Sequence, residues 1–169
     1  LLRNVLVLSG AGVGGGSLVY ANTLYEPLEP FWQDPQWAAI TDWRDELAPH
    51  YEQARRMLGA SRAPDDTPSD DVMRRLADDL GVAHTYRATD VAVYLGRPGE
   101  TVADPYFGGL GPDRTGCLQC GACMVGCRHG AKNTLDRNYL HLAETHGAVV
   151  EAERDVCDVV ALPGGGFEV

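Results

Sequence analysis

The 169-residue chain is long enough to bury one hydrophobic core, and its 44% apolar and 22% charged residues are typical of a globular domain. The formal net charge of −10 argues against binding to nucleic acid or to an anionic membrane surface, because both require a basic face. No apolar run approaches the roughly 20 residues that span a bilayer. The chain begins with Leu1, so we expect it to be a piece of a longer polypeptide.

A glycine-rich turn lies close to the start of the chain. The apolar run at residues 5–8 predicts a buried strand, and it leads into residues 9–17, where five of nine residues are glycine. Glycine has no Cβ and tolerates positive φ, so this turn can place peptide N–H groups against an anionic or planar ligand, and Ser17 can cap a following helix. The turn is not a clean dinucleotide fingerprint, and a tight connection without a ligand is the alternative interpretation.

Residues 12–27, GVGGGSLVYANTLYEP, resemble the second flavin-contacting segment of the glucose–methanol–choline (GMC) oxidoreductases. The resemblance is closest to the cholesterol-oxidase-like branch, and it continues through a cysteine-rich segment to residues 149–162. Many members of the family have Asn in a GGGSxxN pattern where this chain has Tyr20, and Asn22 follows two positions later. The backbone contacts that the resemblance implies for the glycines need no side chain.

This resemblance implies an α/β fold, α+β within the present chain, that combines part of a Rossmann-like FAD-binding domain with part of a substrate domain. Residues 1–27 would belong to the FAD-binding domain, 28–116 to the substrate domain and 117–133 to a cysteine box, while 134–169 would return to the FAD-binding domain. The residues that the resemblance places at FAD, the last one through backbone contacts with the adenine, are Gly12, Gly14, Gly15, Gly16, Ser17, Asn22 and Val156.

The same resemblance implies an activity, namely oxidation of the CH–OH group of a small-molecule alcohol or sterol by hydride transfer to FAD. The dinucleotide fingerprint of this family lies near the N-terminus, and its catalytic His, with an Asn or His partner, lies near the C-terminus. None of the histidines here matches a catalytic motif of the family, so we expect no catalytic residue in this chain.

Two amphipathic helices are predicted in the first half of the chain. One covers residues 43–58, with Thr41 or Asp42 as its N-cap, Gly59 as its terminator and Pro49 at a position that could divide or kink it. The other covers residues 70–80, from a Ser69 cap to Gly81. Before them, residues 18–24 are a brief helix or an extended segment, and three aromatic side chains form a packing patch: Phe31, Trp32 and Trp37.

The second half is predicted to mix strands, a loop and one helix. Residues 86–94 show partial alternation, which predicts a strand, and residues 96–116 form a long loop rich in glycine and proline. Thr134 can cap a helix over 135–146 that ends at Gly147. Three further strands are predicted at 149–152, 156–162 and 167–169, and the last two form a hairpin.

The cysteine box has the spacing C-x2-C-x2-C-x3-C, formed by Cys117, Cys120, Cys123 and Cys127. This spacing lets a turning backbone direct thiolates at an iron–sulfur cluster, and the corresponding function is a ferredoxin-like electron-transfer module. However, Arg128 stands where bacterial ferredoxins have Pro.

Other roles for the four thiols remain open. They could hold a structural zinc, pair as disulfides or pack as inert side chains, and we favour a structural role over either metal. His129 and Lys132 follow the box, and we expect each to be a surface or hydrogen-bonded residue rather than a ligand. Clustered cysteines do not form an evenly spread disulfide framework, which favours a reducing, cytoplasmic setting.

Overall fold

The computed structural model describes residues 4, 7, 9–64 and 67–169. These residues form helices and three small antiparallel sheets, so the predicted α+β character of the chain is confirmed. The predicted strand at 5–8 lies outside the described residues, apart from Val7. Within the described ranges, no helix has the length and apolar character needed to cross a membrane.

Helices and short strands alternate along the described chain. The α-helices are α1 Glu29–Trp32, α2 Trp43–Met57, α3 Pro68–Asp79 and α4 Tyr139–Thr145. Short 3₁₀ turns occur at Gly15–Leu18, Ala83–Thr85, Cys123–Val125 and Leu135–Arg137. The strands are β1 Thr23–Leu24, β2 Ser61–Arg62, β3 Asp90–Val91, β4 Thr101–Val102, β5 Arg114–Thr115, β6 Val160–Ala161 and β7 Phe167–Glu168.

Helix α2 confirms the first helix prediction. The side chain of Asp42 accepts hydrogen bonds from the N–H groups of Arg44 and Asp45, at 3.1 and 3.3 Å, and so satisfies two donors at the helix start. The helix continues through Pro49 rather than dividing there. Gly59 follows the helix with φ of 57°, the conformation expected of a glycine terminator.

Helix α3 begins earlier than predicted, and the Ser69 cap is wrong. The Thr67 hydroxyl accepts from the N–H of Asp70 at 3.3 Å, and the Asp70 carboxylate accepts from the N–H of Thr67 at 3.0 Å. This reciprocal capping box places Pro68 in the first turn, where its missing N–H costs nothing.

Two predictions for the middle of the chain need correction. The strand predicted at 86–94 is reduced to β3, which pairs with both β1 and β2 in a three-stranded sheet of order β1-β3-β2. The loop predicted at 96–116 contains the antiparallel hairpin of β4 and β5, in which Thr101 pairs with Thr115. β4 and β5 are each two residues long, which is too short to show alternation, so the sequence pattern could not reveal them.

The helix predicted at 135–146 is interrupted. It begins as the 3₁₀ turn Leu135–Arg137, and Asn138 then departs from helical geometry before α4 starts. Asn138 rather than Thr134 caps α4, because its side chain accepts a hydrogen bond from the N–H of Tyr139. The same fully buried side chain donates to the carbonyl of Met57 at 3.0 Å and joins this region to the end of α2.

The last 20 residues are less regular than predicted. Residues 149–152 form no strand, and the strand predicted at 156–162 is reduced to β6. β6 pairs with β7, so the predicted hairpin is confirmed. Every residue from 151 to 169 is exposed, which leaves this hairpin without packing partners among the described residues.

The buried centre of the described chain is more polar than apolar. It lies where the end of α2 and residues 92–93 meet residues 131–138. The buried apolar residues are Met57, Ala92, Val93 and Ala131, and the buried polar ones are Arg114, Lys132, Asn133, Thr134 and Asn138. Such polar groups require internal hydrogen-bond partners, and these partners position the candidate site.

Candidate functional site

The glycine-rich turn has one face against its own chain and one open face. A Cβ on Gly14 would lie 3.0 Å from the side chain of Leu18 and 3.2 Å from Oδ1 of Asp136. A Cβ on Gly15 or Gly16 would meet no atom of the described residues within 4 Å. Gly15 also has φ of 57°, where a side chain would be strained. The backbone at Gly15 and Gly16 is therefore accessible to a ligand.

Ser17 fixes the inner face of this turn. Its hydroxyl donates to the carbonyl of Gly14 at 2.6 Å and accepts from the N–H of Leu135 at 2.9 Å. Ser17 lies inside the 3₁₀ turn Gly15–Leu18, whose N-cap is Gly14, so the prediction that Ser17 caps a helix is wrong. The hydroxyl instead joins the glycine turn to the start of the 135–137 turn.

The side chains of Tyr20 and Asn22 also point towards the second half of the chain. The Tyr20 hydroxyl donates to the carbonyl of Asn133 at 2.6 Å, and Nδ2 of Asn22 donates to Sγ of Cys123 at 3.0 Å. Burial, together with the nearby Cys123, raises the pKa of Tyr20, which keeps its hydroxyl protonated as a donor. Oδ1 of Asn22 is buried and has no hydrogen-bond partner among the described residues.

Lys132 holds residues 18–20 in place through hydrogen bonds to their backbone. Its ammonium donates to the carbonyls of Leu18, Tyr20 and Cys123 at 3.0, 2.9 and 2.9 Å, and it lies 4.5 Å from the centroid of the Tyr20 ring. The expectation that Lys132 is a hydrogen-bonded residue is confirmed. Its role as the link between the glycine segment and the cysteine box could not be derived from the sequence, because the three acceptors are backbone atoms and two of them lie more than 100 positions away.

Asn133 extends this anchor to α2. Its side chain donates to the carbonyl of Leu58 at 2.9 Å and accepts from Nε of Arg114 at 3.0 Å. Burial lowers the pKa of Arg114, whose remaining hydrogen bonds run to the carbonyls of Pro112, Asp113 and Arg137. Residues 132–135 thus form a strip that contacts the glycine segment on one side and α2 on the other.

All four thiols of the cysteine box line one pocket with a volume of about 320 Å³. Asn22 and His129 border the same pocket, and most of its remaining wall is apolar, including Val91, Val93 and Leu118. All five cysteines of the chain are free. The described part of the chain includes all of these cysteines, yet it contains no group of three His, Cys, Asp or Glu side chains that could hold a metal ion. The structure therefore gives the iron–sulfur and zinc predictions no support.

Cys127 differs from a simple packing thiol. Burial raises its pKa, but hydrogen bonds from the N–H groups of Lys132, His129, Ala131 and Gly130 outweigh that effect, and the pKa of Cys127 is lowered. Four peptide N–H groups of the backbone that follows the box thus favour the thiolate form of Cys127.

The structure brings six of the seven predicted cofactor residues together in one segment and leaves the seventh apart. Val156 is 59% exposed and lies outside any strand. Among the described residues, no hydrogen bond or ion pair joins residues 151–169 to the rest of the chain; those formed there are local, such as Arg154 to Glu151. The strand predicted at 156–162 therefore does not include Val156.

Known relatives of this chain are oxidoreductases by name. The chain is 61% identical over 154 residues to proteins named cholesterol oxidase from two strains of Mycobacterium tuberculosis, a match that covers 88% of this chain and 27% of each relative. It is 46% identical over 176 residues to a cholesterol oxidase from Acinetobacter baumannii, which covers 99% of this chain and 32% of that relative. No family model and no solved structure matches the chain.

These matches confirm the resemblance that residues 12–27 indicate. The chain is homologous to proteins named cholesterol oxidase, and it spans less than one third of the length of the curated relatives it matches, 27% and 32%.

Proposed function

We propose that this chain supplies part of the FAD site of an oxidoreductase that oxidises a CH–OH group by hydride transfer to the flavin. The observation that carries the proposal is the open face of the glycine turn, where a Cβ on Gly15 or Gly16 would meet no atom within 4 Å in the part of the chain that the structure describes. The opposite face is held by side chains. One face of this backbone segment is packed against its own chain, and the other face carries no side chains. A planar cofactor can therefore approach the backbone closely.

The residues present fit FAD in their chemistry. Gly14, Gly15 and Gly16 would contact the flavin through their backbone, and Gly12 and Ser17 would shape the turn. Asn22 retains one buried amide oxygen without a partner, which is a hydrogen-bonding capacity that the described chain does not use. When bound, FAD would accept the hydride, and this chain would bind and orient the cofactor.

We further propose the domain division that the resemblance implies. Residues 1–27 and 134–169 would be parts of a Rossmann-like FAD-binding domain, with Val156 contacting the adenine, and residues 28–116 would belong to the substrate domain. The exposure of residues 151–169 is compatible with packing against parts of such a domain that lie elsewhere. The catalytic base would also lie elsewhere.

The substrate would be an alcohol with a large apolar body, such as a sterol. The relatives are named cholesterol oxidase, and the pocket of about 320 Å³ beside Asn22 has a largely apolar wall, as expected for a site that binds hydrocarbon. The free, clustered thiols support a reducing, cytoplasmic setting.

Gly16→Ala in the complete protein tests the FAD site. Gly16 does not have positive φ, and its Cβ would point into open space, so alanine is compatible with the folded chain. If FAD occupies that space, we expect flavin affinity to fall by about tenfold or more, since a loss of about 1.4 kcal/mol corresponds to that factor. The measurement is flavin affinity by fluorescence titration of the apoprotein.

Gly164→Ala is the matched control. Gly164 also lacks positive φ and has no atom within 4 Å of its added Cβ, but it lies in the β6–β7 hairpin. Both substitutions should leave the unfolding temperature unchanged or slightly raised. Equal flavin affinity in the two variants would contradict the proposed site. Gly15→Val should abolish flavin retention but is less diagnostic, because valine is strained at φ of 57°.

A further inference from the structure

Lys132 is the only lysine among the 169 residues, and its side chain is 1% exposed. Lysine is almost never fully buried unless it is paired, because moving an ammonium group out of water is costly. The free energy that this burial costs has to be recovered by interactions that the charged group makes inside the protein.

The geometry shows that the group is charged. Nζ has three carbonyl acceptors at 2.9 to 3.0 Å, from Leu18, Tyr20 and Cys123, and only the ammonium form has three N–H donors for them. The Tyr20 ring at 4.5 Å adds a cation–π contact. Among the described residues, no carboxylate lies within ion-pair distance of this Nζ.

Two of the three acceptors belong to the segment that directly follows the glycine turn. The positive charge is therefore fixed beside residues 18–20, which follow the glycine turn, and the ammonium is almost fully shielded from solvent. Burial lowers the pKa of Lys132, while Cys123, Cys127 and Asp136 oppose that shift.

The proposed reaction generates negative charge close to this region. Oxidation of a CH–OH group to a carbonyl removes a hydride, which goes to FAD, and a proton, which goes to a base. With the hydride the cofactor gains two electrons and one proton, so its charge becomes more negative by one unit. A fixed positive charge nearby stabilises this reduced form relative to the oxidised one.

We propose that Lys132 is an electrostatic positioning residue of the flavin site: its buried ammonium holds residues 18–20 in place and raises the reduction potential of the bound flavin. This inference rests on the proposed FAD site. It also goes beyond that site, because Lys132 would influence the reduction potential of FAD without contacting the cofactor.

The test measures the flavin midpoint potential of the complete, FAD-loaded protein. Lys132→Gln removes the charge but keeps two N–H donors for the carbonyls. We expect about a tenfold loss in the equilibrium constant for flavin reduction, which is about 30 mV for a two-electron couple. Lys132→Arg keeps the charge and should restore the wild-type potential, even if the larger group lowers the unfolding temperature.

Arg97→Gln is the control for net charge. It makes the same change of one unit, but the Arg97 side chain is 86% exposed, so solvent and salt should screen its effect on the potential. If Lys132→Gln does not fold, Lys132→Met replaces it with the same expectation, since methionine is neutral, of similar length and suited to burial.

The possible results separate the two proposals. A lowered potential in the neutral variant, restored by arginine, supports the electrostatic role. If Lys132→Gln or Lys132→Met binds flavin with an unchanged reduction potential, the electrostatic role is refuted. Lys132 would then have a structural role only. A wild-type protein that binds no flavin would instead refute the FAD site itself.

Discussion

The two regions proposed to contact FAD, residues 12–22 and the segment around Val156, are held in place very differently. Residues 17–22 are joined to residues 123–135 by five hydrogen bonds that involve side chains. The segment around Val156 makes only local hydrogen bonds, and all of residues 151–169 are exposed. The conformation of the first segment is therefore determined by contacts within this chain, whereas the second has no such contacts among the described residues.

The largest expected effect comes from breaking the anchor behind the first segment. Asn133→Ala removes the acceptor of Arg114 and the donor to Leu58, and it leaves a buried guanidinium partly unpaired. We expect the free energy of unfolding to fall by about 3 kcal/mol, as for other losses of a partner to a buried charged group. Chemical denaturation of the complete protein measures this.

Val159→Ala is the corresponding change in the second segment. Val159 is 55% exposed, and its truncation should change the free energy of unfolding by less than about 0.5 kcal/mol. Equal destabilisation by the two substitutions would mean that residues 151–169 are packed as firmly as the anchor, and the contrast between the two segments would be wrong.

Cys120→Ser gives the smallest expected effect. Cys120 is exposed, and all the thiols are free, so the substitution should change the free energy of unfolding by less than about 0.5 kcal/mol and leave the flavin spectrum unchanged. Analysis of iron and sulfide in anaerobically purified protein is the check. About four of each per chain, with release from the variant, would revive the ferredoxin-like alternative.

Local signals in the sequence predicted the helices best. Asp42 and Gly59 bound α2 as expected, because caps and terminators act through neighbouring backbone. The Thr67 cap was missed because Ser69 offered a similar hydroxyl two positions later, and only the capping box with Asp70 distinguishes them. The two-residue strands β1, β2, β4 and β5 gave no periodic signal.

The candidate site was predicted unevenly for a physical reason. The glycine turn could be predicted from the sequence, because a backbone face without side chains requires glycine residues. The anchor formed by Lys132 and Asn133 is not visible, since its partners are carbonyls that any residue could supply and that lie far along the chain. A lone lysine in a chain of otherwise arginine cations is the one sequence signal that could have drawn attention to it.

Hydrogen–deuterium exchange of the complete protein, with and without FAD, tests the proposed FAD site most directly. Peptides that cover residues 12–18 should exchange more slowly when FAD is bound, because the cofactor would cover the open face at Gly15 and Gly16. Peptides from α3 serve as the internal reference and should not change. Unchanged exchange at residues 12–18 in protein that retains FAD would contradict the account, because the cofactor would then bind without covering the glycine turn.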